Sequence, residues 1–373
     1  MGPARVPAAR QVTLIDLHND VAMKLLAHGV SMQAPAGRLD IDMEGIRARR
    51  PDALVFAAYS DPHFTGADAE ALVSRQLELL LADIARPGSL VEPAFSVADL
   101  RRITAAGRTA AILGVEGGYA ITDRLEPLER LHAKGARLLT LTHSRATSWA
   151  GADTDGAAMG LTPFGEGLVR RMNELGMIVD VAHTSTETIL AAARVSRRPI
   201  VFSHGGVRSL AKSRRAIADE AIRAVAGTGG VVGVSFFPLH LAPGEGDSGW
   251  SVRMLALEER AGEIMRQGRG DATATFIQLA KLFGDAFPVP PPEARPDLTP
   301  LLDTIDHVNR VAGEDFVALG SDFDGIAYTV RGLENFSRID RLASALAGRG
   351  HPAERIAKVM GGNARRVIDA VLP

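Results

Sequence analysis

The chain contains no cysteine. Disulfides, thiolate metal ligands and cysteine nucleophiles are therefore all excluded. It also lacks an excess of either charge: 42 basic residues stand against 44 acidic ones, a net charge of -2. That balance gives no electrostatic ground for expecting nucleic acid or an anionic membrane as a partner. No apolar run approaches the length that spans a bilayer. The opening "MGPARVPAAR" lacks the apolar core of a signal peptide, and the closing "VIDAVLP" lacks the long apolar tail of a lipid-anchor signal. These absences together lead us to expect a cytoplasmic protein. What is present is ordinary for a soluble globular chain: 373 residues, 46% hydrophobic and 23% charged, enough for one large domain or two medium ones.

Short apolar, β-branched runs recur along the chain with helix-like stretches between them. They are "TLIDLH" (13–18), "ALVFAAY" (53–59), "AAILGVE" (110–116), "LLTLTH" (138–143), "MIVDVAH" (177–183), "PIVFSH" (199–204), "GVVGVSFF" (230–237) and "FVALGSD" (316–322). Their shortness, and the Gly or Pro before several of them, favours strand over buried helix. Intervening segments such as "RLEPLERLHAKG" and "GEGLVRRMNELG" read as amphipathic helices. Eight β-then-α units predict an α/β fold of the (β/α)8 TIM-barrel type rather than an open doubly wound sheet. No internal repeat or separate second domain is evident, so residues 1–373 read as one barrel domain. The stretch 238–315, between the last two predicted strands, is long for a barrel loop. It holds "GEGDSG", a helical stretch from about Ser251 to Gly284, and the rigid "PVPPPEARP". It reads equally as a surface elaboration and as a flap or subunit contact, which leaves a homodimer open.

The strand ends carry the argument. In "TLIDLHNDVAM" three polar residues, Asp16, His18 and Asp20, follow an apolar start at alternate positions, and alternation places them on one face of a strand. The later runs end in Glu116, His143, His183, His204 and Asp322, so four of the ten histidines terminate predicted strands. Enzymes on this barrel build their sites at that end of the sheet. Singly, each residue has a structural reading, since a strand-end histidine is more often a hydrogen-bonded core group than a ligand. Asp16 reads as structural, accepting backbone N–H bonds within the barrel. His28, His63, His132, His307 and His351 fall in helices or loops and read as surface or capping residues; His240, close after the seventh predicted strand, stays an outside candidate. "GTGGVVG" (227–233) precedes a strand instead of following one, so it reads as a turn and not as a dinucleotide loop.

The structural reading fails for the ensemble. Several buried imidazoles and three carboxylates at one mouth would repel, or stay unsatisfied, unless something cationic paired the acids and oriented the rings. Imidazole nitrogen and carboxylate oxygen without thiolate suit zinc or a related divalent ion. His18 and Asp20 can hold one ion, His183 and His204 another, and Glu116 has two carboxylate oxygens with which to bridge them.

Six motifs, "DLHNDV", "GVEGG", "LTLTHS", "VDVAHTS", "FSHGGVRSLAKSRR" and "GSDFDG", occur in that order at strand ends. Together they resemble the membrane (renal) dipeptidase family of zinc metallopeptidases, from about residue 12 to the C-terminal "GGNARRVI". The resemblance implies a metallo-dependent hydrolase barrel with two zinc ions per chain. His18, Asp20 and Glu116 would hold one, and Glu116, His183 and His204 the other. It also implies that His143 polarises the scissile carbonyl, that Arg215 binds the substrate's free carboxylate, and that Asp322 orients the attacking hydroxide between the metals and passes its proton to the leaving amine. The implied substrates are free dipeptides, including L-Xaa-D-Xaa. Two departures bear on substrate preference: Phe237 stands where many members carry a tyrosine, and Ala146 falls in a segment that often shows an asparagine. The competing expectations are another binuclear-metal amidohydrolase, a deaminase or lactonase, and a non-catalytic metal-binding relative. Many of those amidohydrolases bridge their metals with a carboxylated lysine at the end of the fourth strand, where this chain has His143.

Overall fold

The computed structural model describes residues 13–154, 159–213, 215–243, 247–268, 270–284 and 289–373. Nine parallel strands follow in chain order: β1 (Ile15–Asn19), β2 (Ala53–Tyr59), β3 (Val91–Pro93), β4 (Thr109–Glu116), β5 (Ala136–Thr140), β6 (Ile178–Asp180), β7 (Val201–Phe202), β8 (Val231–Val234) and β9 (Val317–Leu319). The order β2-β1-β9-β8-β7-β6-β5-β4 is closed by a β2–β4 ladder running from Ala53↔Ala110 to Tyr59↔Glu116. This is the closed (β/α)8 barrel expected from the sequence. β3 is not one of its staves. It pairs with the first residues of β4, Val91↔Thr109 to Pro93↔Ala111, below the point at Leu113 where β5 takes over the same edge. Three residues that include a proline make no recognisable run, so β3 is not legible before the fold is seen.

Alternation along the staves divides the core in two. Ile15, Ala53, Val55, Ala110, Ile112, Leu138, Ile178, Val201, Val231 and Ala318 pack together inside the barrel. Their neighbours Leu54, Phe56, Ala111, Leu113, Leu139, Val179 and Leu319 pack outward with the helices. Both faces of the sheet are thus apolar, as a parallel sheet clad in helices requires. The outer helices carry their own stop signals. In Pro163–Leu175, Thr162 caps the N-terminus by accepting from Gly165 N–H, Pro163 opens the first turn, and Gly176 ends it at φ 69°. At the N-terminal end of the barrel the last helix, Asn363–Val371, forms a plug. Arg366 on it donates to the carbonyls of Gly229 and Asp315, just before β8 and β9, and Arg198, just before β7, donates to Ala370.

Two local departures from the sequence reading shape the opposite end. The β1–β2 register slips between Asp16, opposite Leu54, and Asn19, opposite Phe56: three steps along one strand against two along the other. This irregularity breaks the expected alternation, so Asp16 and His18 do not share a face. The later strands are also shorter than expected. His143, His183, His204 and Asp322 lie two or three residues past the ends of β5, β6, β7 and β9. His183 and Asp322 adopt φ of 62° and 66°, which ends the ladder and turns the side chains inward.

Between β8 and β9 lie helices Pro238–Leu241, Asp247–Gln267, Ala272–Gly284 and Thr299–Ala312. The last packs on β8 and β9 as an ordinary barrel helix. Ala272–Gly284 instead packs on the helices Val21–His28 and Gly66–Ile84. Its fully buried Phe276 lies 6.2 Å from the Tyr59 ring and 6.5 Å from Phe64. A polar clasp joins the preceding helix to the barrel mouth. Glu258 accepts from Arg145 and lies 3.2 Å from His63 Nε2, while His63 Nδ1 lies 2.7 Å from Asp61.

Candidate active site

The C-terminal ends of the staves gather the polar residues that the sequence singled out. His18 lies next to the end of β1. Asp20 caps the following helix without using its side chain as a cap, so its carboxylate turns to His18 and lies 3.4 Å from Nε2. Glu116 is the last residue of β4. The two glycines after it permit a tight turn there, because a Cβ on Gly118 would come within 2.8 Å of the Leu141 carbonyl. Glu116 Oε1 is 3.5 Å from His18 Nε2, 3.1 Å from His183 Nε2 and 3.5 Å from His204 Nε2. The Nε2 atoms of His183 and His204 are 3.0 Å apart. Asp322 Oδ1 stands 4.0 Å from His18 Nε2 on the remaining side.

His143 enters over the same carboxylate, its ring centroid 4.0 Å from that of His183. Its loop is pinned by Tyr119, whose hydroxyl accepts from the N–H groups of His143 and Arg145 and donates to the Arg145 carbonyl. Tyr59, at the end of β2, meets His143 edge-on at 4.9 Å. Arg215 closes the group. Its Nη2 donates to His183 Nε2 at 2.9 Å and to the His204 carbonyl at 3.2 Å, its Nη1 faces Asp153 at 3.7 Å, and its guanidinium lies over Phe202.

The electrostatics ask for positive charge. Burial opposes charging His18, yet the carboxylates of Glu116, Asp20 and Asp322 outweigh it and push its imidazole up to about 10. Burial, reinforced by Asp20 and Asp322, drives Glu116 well above the ordinary carboxylate range. Burial likewise pushes Asp322 up to about 7 against the pull of His18, with Asp20 adding to the rise. The other imidazoles move the opposite way. Burial and the Arg215 charge press His143 down to about 3, and hold His183 well below the usual range. Burial and then His18 do the same for His204. The site thus holds neutral rings with available nitrogen lone pairs beside acids short of counter-charge. Among the described residues, neither ring nitrogen of the fully buried His18 has a hydrogen-bond partner. A cation bound between these groups would resolve both deficits.

Among the described residues, the His, Asp and Glu groups close enough to share one ion all lie at this mouth: His18–Asp20–Glu116, Glu116–His143–His183 and His18–His204–Asp322. His143 and Asp322 therefore stand within reach of an ion as well as the five expected ligands. Asp16 takes no part. It accepts the backbone N–H of Ser321 at 2.8 Å and the Ser321 hydroxyl, a structural tie between β1 and β9 as expected. His240, kept as an outside candidate, is at the site, its Nδ1 3.1 Å from Ser235 Oγ and 3.9 Å from Asp322 Oδ2. Two histidines were misjudged. His307 and His351 are buried and pair with Asp219 and Asp306. Phe237 packs against His240 and Tyr328, with ring centroids 5.1 and 5.5 Å away.

The family model for membrane dipeptidase (peptidase family M19) matches residues 6–372. The chain belongs to that family. Membership in this dipeptidase family supports a hydrolase, and a metal fits the donor set at the mouth. Solved relatives share the fold at low identity. The metallopeptidase called dipeptidase AC is 21% identical, with a TM-score of 0.78 over 97% of this chain and 99% of that one. The probable dipeptidase PvdM from Pseudomonas aeruginosa is 23% identical, with a TM-score of 0.79 over 97% and 96%. A metallopeptidase from Rhodobacter sphaeroides, liganded with a phosphinate mimic of the dipeptide L-Ala-D-Ala, is 20% identical, with a TM-score of 0.77 over 97% and 99%. Although the family is called membrane dipeptidase, no helix among the described residues is long and apolar enough to cross a membrane.

Proposed function

We propose that this family member is a zinc-dependent dipeptidase that hydrolyses free dipeptides, L-Xaa-D-Xaa among them, in a single catalytic unit. The observation that carries the reading is the position of Glu116. One carboxylate oxygen lies within 3.5 Å of His18, His183 and His204, so two three-residue groups, His18–Asp20–Glu116 and Glu116–His183–His204, meet at a shared acid. Each group would hold one zinc. Bound there, the pair would supply Lewis acidity and a water acidic enough to attack near neutral pH.

The remaining steps belong to side chains. Arg215 holds the C-terminal carboxylate of the substrate, because its guanidinium fork fits a carboxylate with two parallel bonds. His143, kept neutral by burial, donates to the carbonyl oxygen as negative charge develops there, a contribution on the order of 3 kcal/mol to the barrier. Asp322, whose carboxyl is raised by burial above the ordinary range, takes the proton from the attacking water and gives it to the departing amine. The second residue of the substrate is gripped mainly through its carboxylate, which leaves its α-carbon free to take either hand; the L-Ala-D-Ala mimic on the Rhodobacter sphaeroides relative supports that preference. A deaminase or lactonase is disfavoured by the family match and by His143 at the place of a bridging lysine.

The test is a stereochemically varied dipeptide library assayed alongside metal analysis. We expect two zinc equivalents per chain, turnover of L,L and L,D substrates, poor turnover of D-first ones, loss of activity on chelation and recovery with zinc. A metal-replete preparation with only trace metal would refute the zinc centre. Inert L,D substrates beside active L,L ones would refute the stereochemical reading.

A further inference from the structure

Behind His204 runs a line of polar groups that the proposed mechanism does not use. Asp180, the last residue of β6, is fully buried, and its two oxygens take four donors. Oδ2 accepts the hydroxyls of Thr140 and Ser203, each at 2.6 Å. Oδ1 accepts the N–H groups of Ser203 at 2.9 Å and Ala182 at 3.0 Å. With two donors on each oxygen, the group has no room for a proton of its own and can only accept. Ser203 Oγ also lies 2.9 Å from His204 Nδ1. A hydroxyl has one proton to give, and Asp180 takes it. Towards His204 the serine can therefore only accept, so the proton between them sits on Nδ1. That leaves the ring's lone pair on Nε2, the atom facing Glu116 and His183.

A matching pair lies across the barrel, and the contrast is informative. Asp16 ties down Ser321 through the same backbone and hydroxyl contacts, but the further reach of that hydroxyl is to the His18 carbonyl at 3.3 Å and not to a ring. His18 Nδ1 has no hydrogen-bond partner among the described residues. Both pairs pin neighbouring strands. The Asp180 pair does something in addition, since it ends on the imidazole of a candidate ligand.

We propose that Asp180, acting through Ser203, is a positioning residue that fixes His204 as the Nδ1–H tautomer with Nε2 directed into the metal site. The hydrogen bonds stand on geometry alone; their consequence for metal affinity rests on the zinc reading above. Partners of this kind orient a ligating ring, and losing one typically weakens metal binding by roughly ten- to hundredfold.

Two measurements separate the parts. Long-range 1H–15N spectra of histidine-labelled protein, recorded with zinc and after chelation, should show His204 protonated on Nδ1 in both states. This needs no variant, so a folding defect cannot blunt it. Zinc titration against a competing chelator should show Ser203→Ala raising the dissociation constant of one of the two ions by roughly ten- to hundredfold, with Ser203→Thr, which restores the hydroxyl, returning it towards the parent value. An Nε2–H tautomer at His204, or a folded Ser203→Ala protein with parental zinc affinity, would overturn the inference. Failure of the parent itself to take up zinc would instead refute the metal reading, and the tautomer spectrum would still decide the relay.

Discussion

The role given to Arg215 makes a prediction that can be separated from the residue's structural duties. In the fold its guanidinium bonds to His183 Nε2 and the His204 carbonyl and faces Asp153, so any substitution will disturb the site whatever the substrate. The useful quantity is therefore a ratio of ratios. Arg215→Lys keeps the charge but replaces the fork with a single ammonium, which can make one of the two charge-assisted bonds to a substrate carboxylate. Losing the other costs about 1.5–3 kcal/mol. On a free dipeptide, kcat/KM should fall by roughly 10- to 150-fold beyond whatever the variant loses on the same dipeptide as its C-terminal amide. The amide has no carboxylate for the fork to grip, so it reports only the shared structural damage. The assay is kcat/KM for parent and variant on both substrates, with zinc content and melting temperature measured on each preparation. If the two substrates lose the same factor, Arg215 does not read the carboxylate.

Asp322→Asn should fold and retain its metals while losing on the order of 10²–10⁴ in kcat, because an amide cannot carry the proton; near-normal turnover would remove Asp322 from the chemistry. Phe276→Ala, in the helix that packs over Tyr59, should lower stability by about 3–5 kcal/mol in urea titrations. A loss well under 1 kcal/mol there would mean that this helix unfolds independently of the barrel. Burial and then the neighbouring Asp40 push Asp324 up to about 8, against an ordinary value of 3.8. The folded state therefore holds that proton more tightly than the unfolded chain, and this group lowers stability progressively as pH rises between those values. Asp324→Asn should flatten that part of the stability profile, and parallel profiles for parent and variant would refute the assignment.

The barrel and its site were legible because burial makes polar strand ends conspicuous. One acid or imidazole closing a run such as "AAILGVE" or "PIVFSH" reads as a hydrogen-bonded core group; it was their gathering at the same end of several predicted strands that pointed to chemistry. The positions of His18, Asp20, Glu116, His143, His183, His204, Arg215 and Asp322 at one mouth followed from that pattern and from the motif order. What was not legible depends on partners far away in the chain. The slip in β1 is set by β2 and is invisible in "TLIDLH" itself. His307 and His351 looked like surface residues because Asp219 and Asp306, which pair with them, are brought close only by the fold. The clasp between His63 and Glu258 spans 195 residues, and neither residue signals the other. His240 sits beside Asp322 because a short helix after β8 turns it back, which no periodicity reveals.

The tie between Asp16 on β1 and Ser321 beside β9 joins residues 305 apart, and it bears on when activity appears during synthesis. Closing a loop of that length costs about 5 kcal/mol of chain entropy, and little local structure offsets it until both strands are in place. His18 and Asp20 leave the ribosome early; Asp322 leaves near the end. A chain arrested anywhere before β9 can hold most of its staves yet lack both Asp322, the proposed proton carrier, and the strand that seats His18. Hydrolysis should therefore switch on abruptly with barrel closure, which makes turnover a sensitive reporter of the last step of folding. An ion held jointly by residues from β1, β4, β6 and β7 would bind the closed form alone, and by mass action would draw the chain towards it.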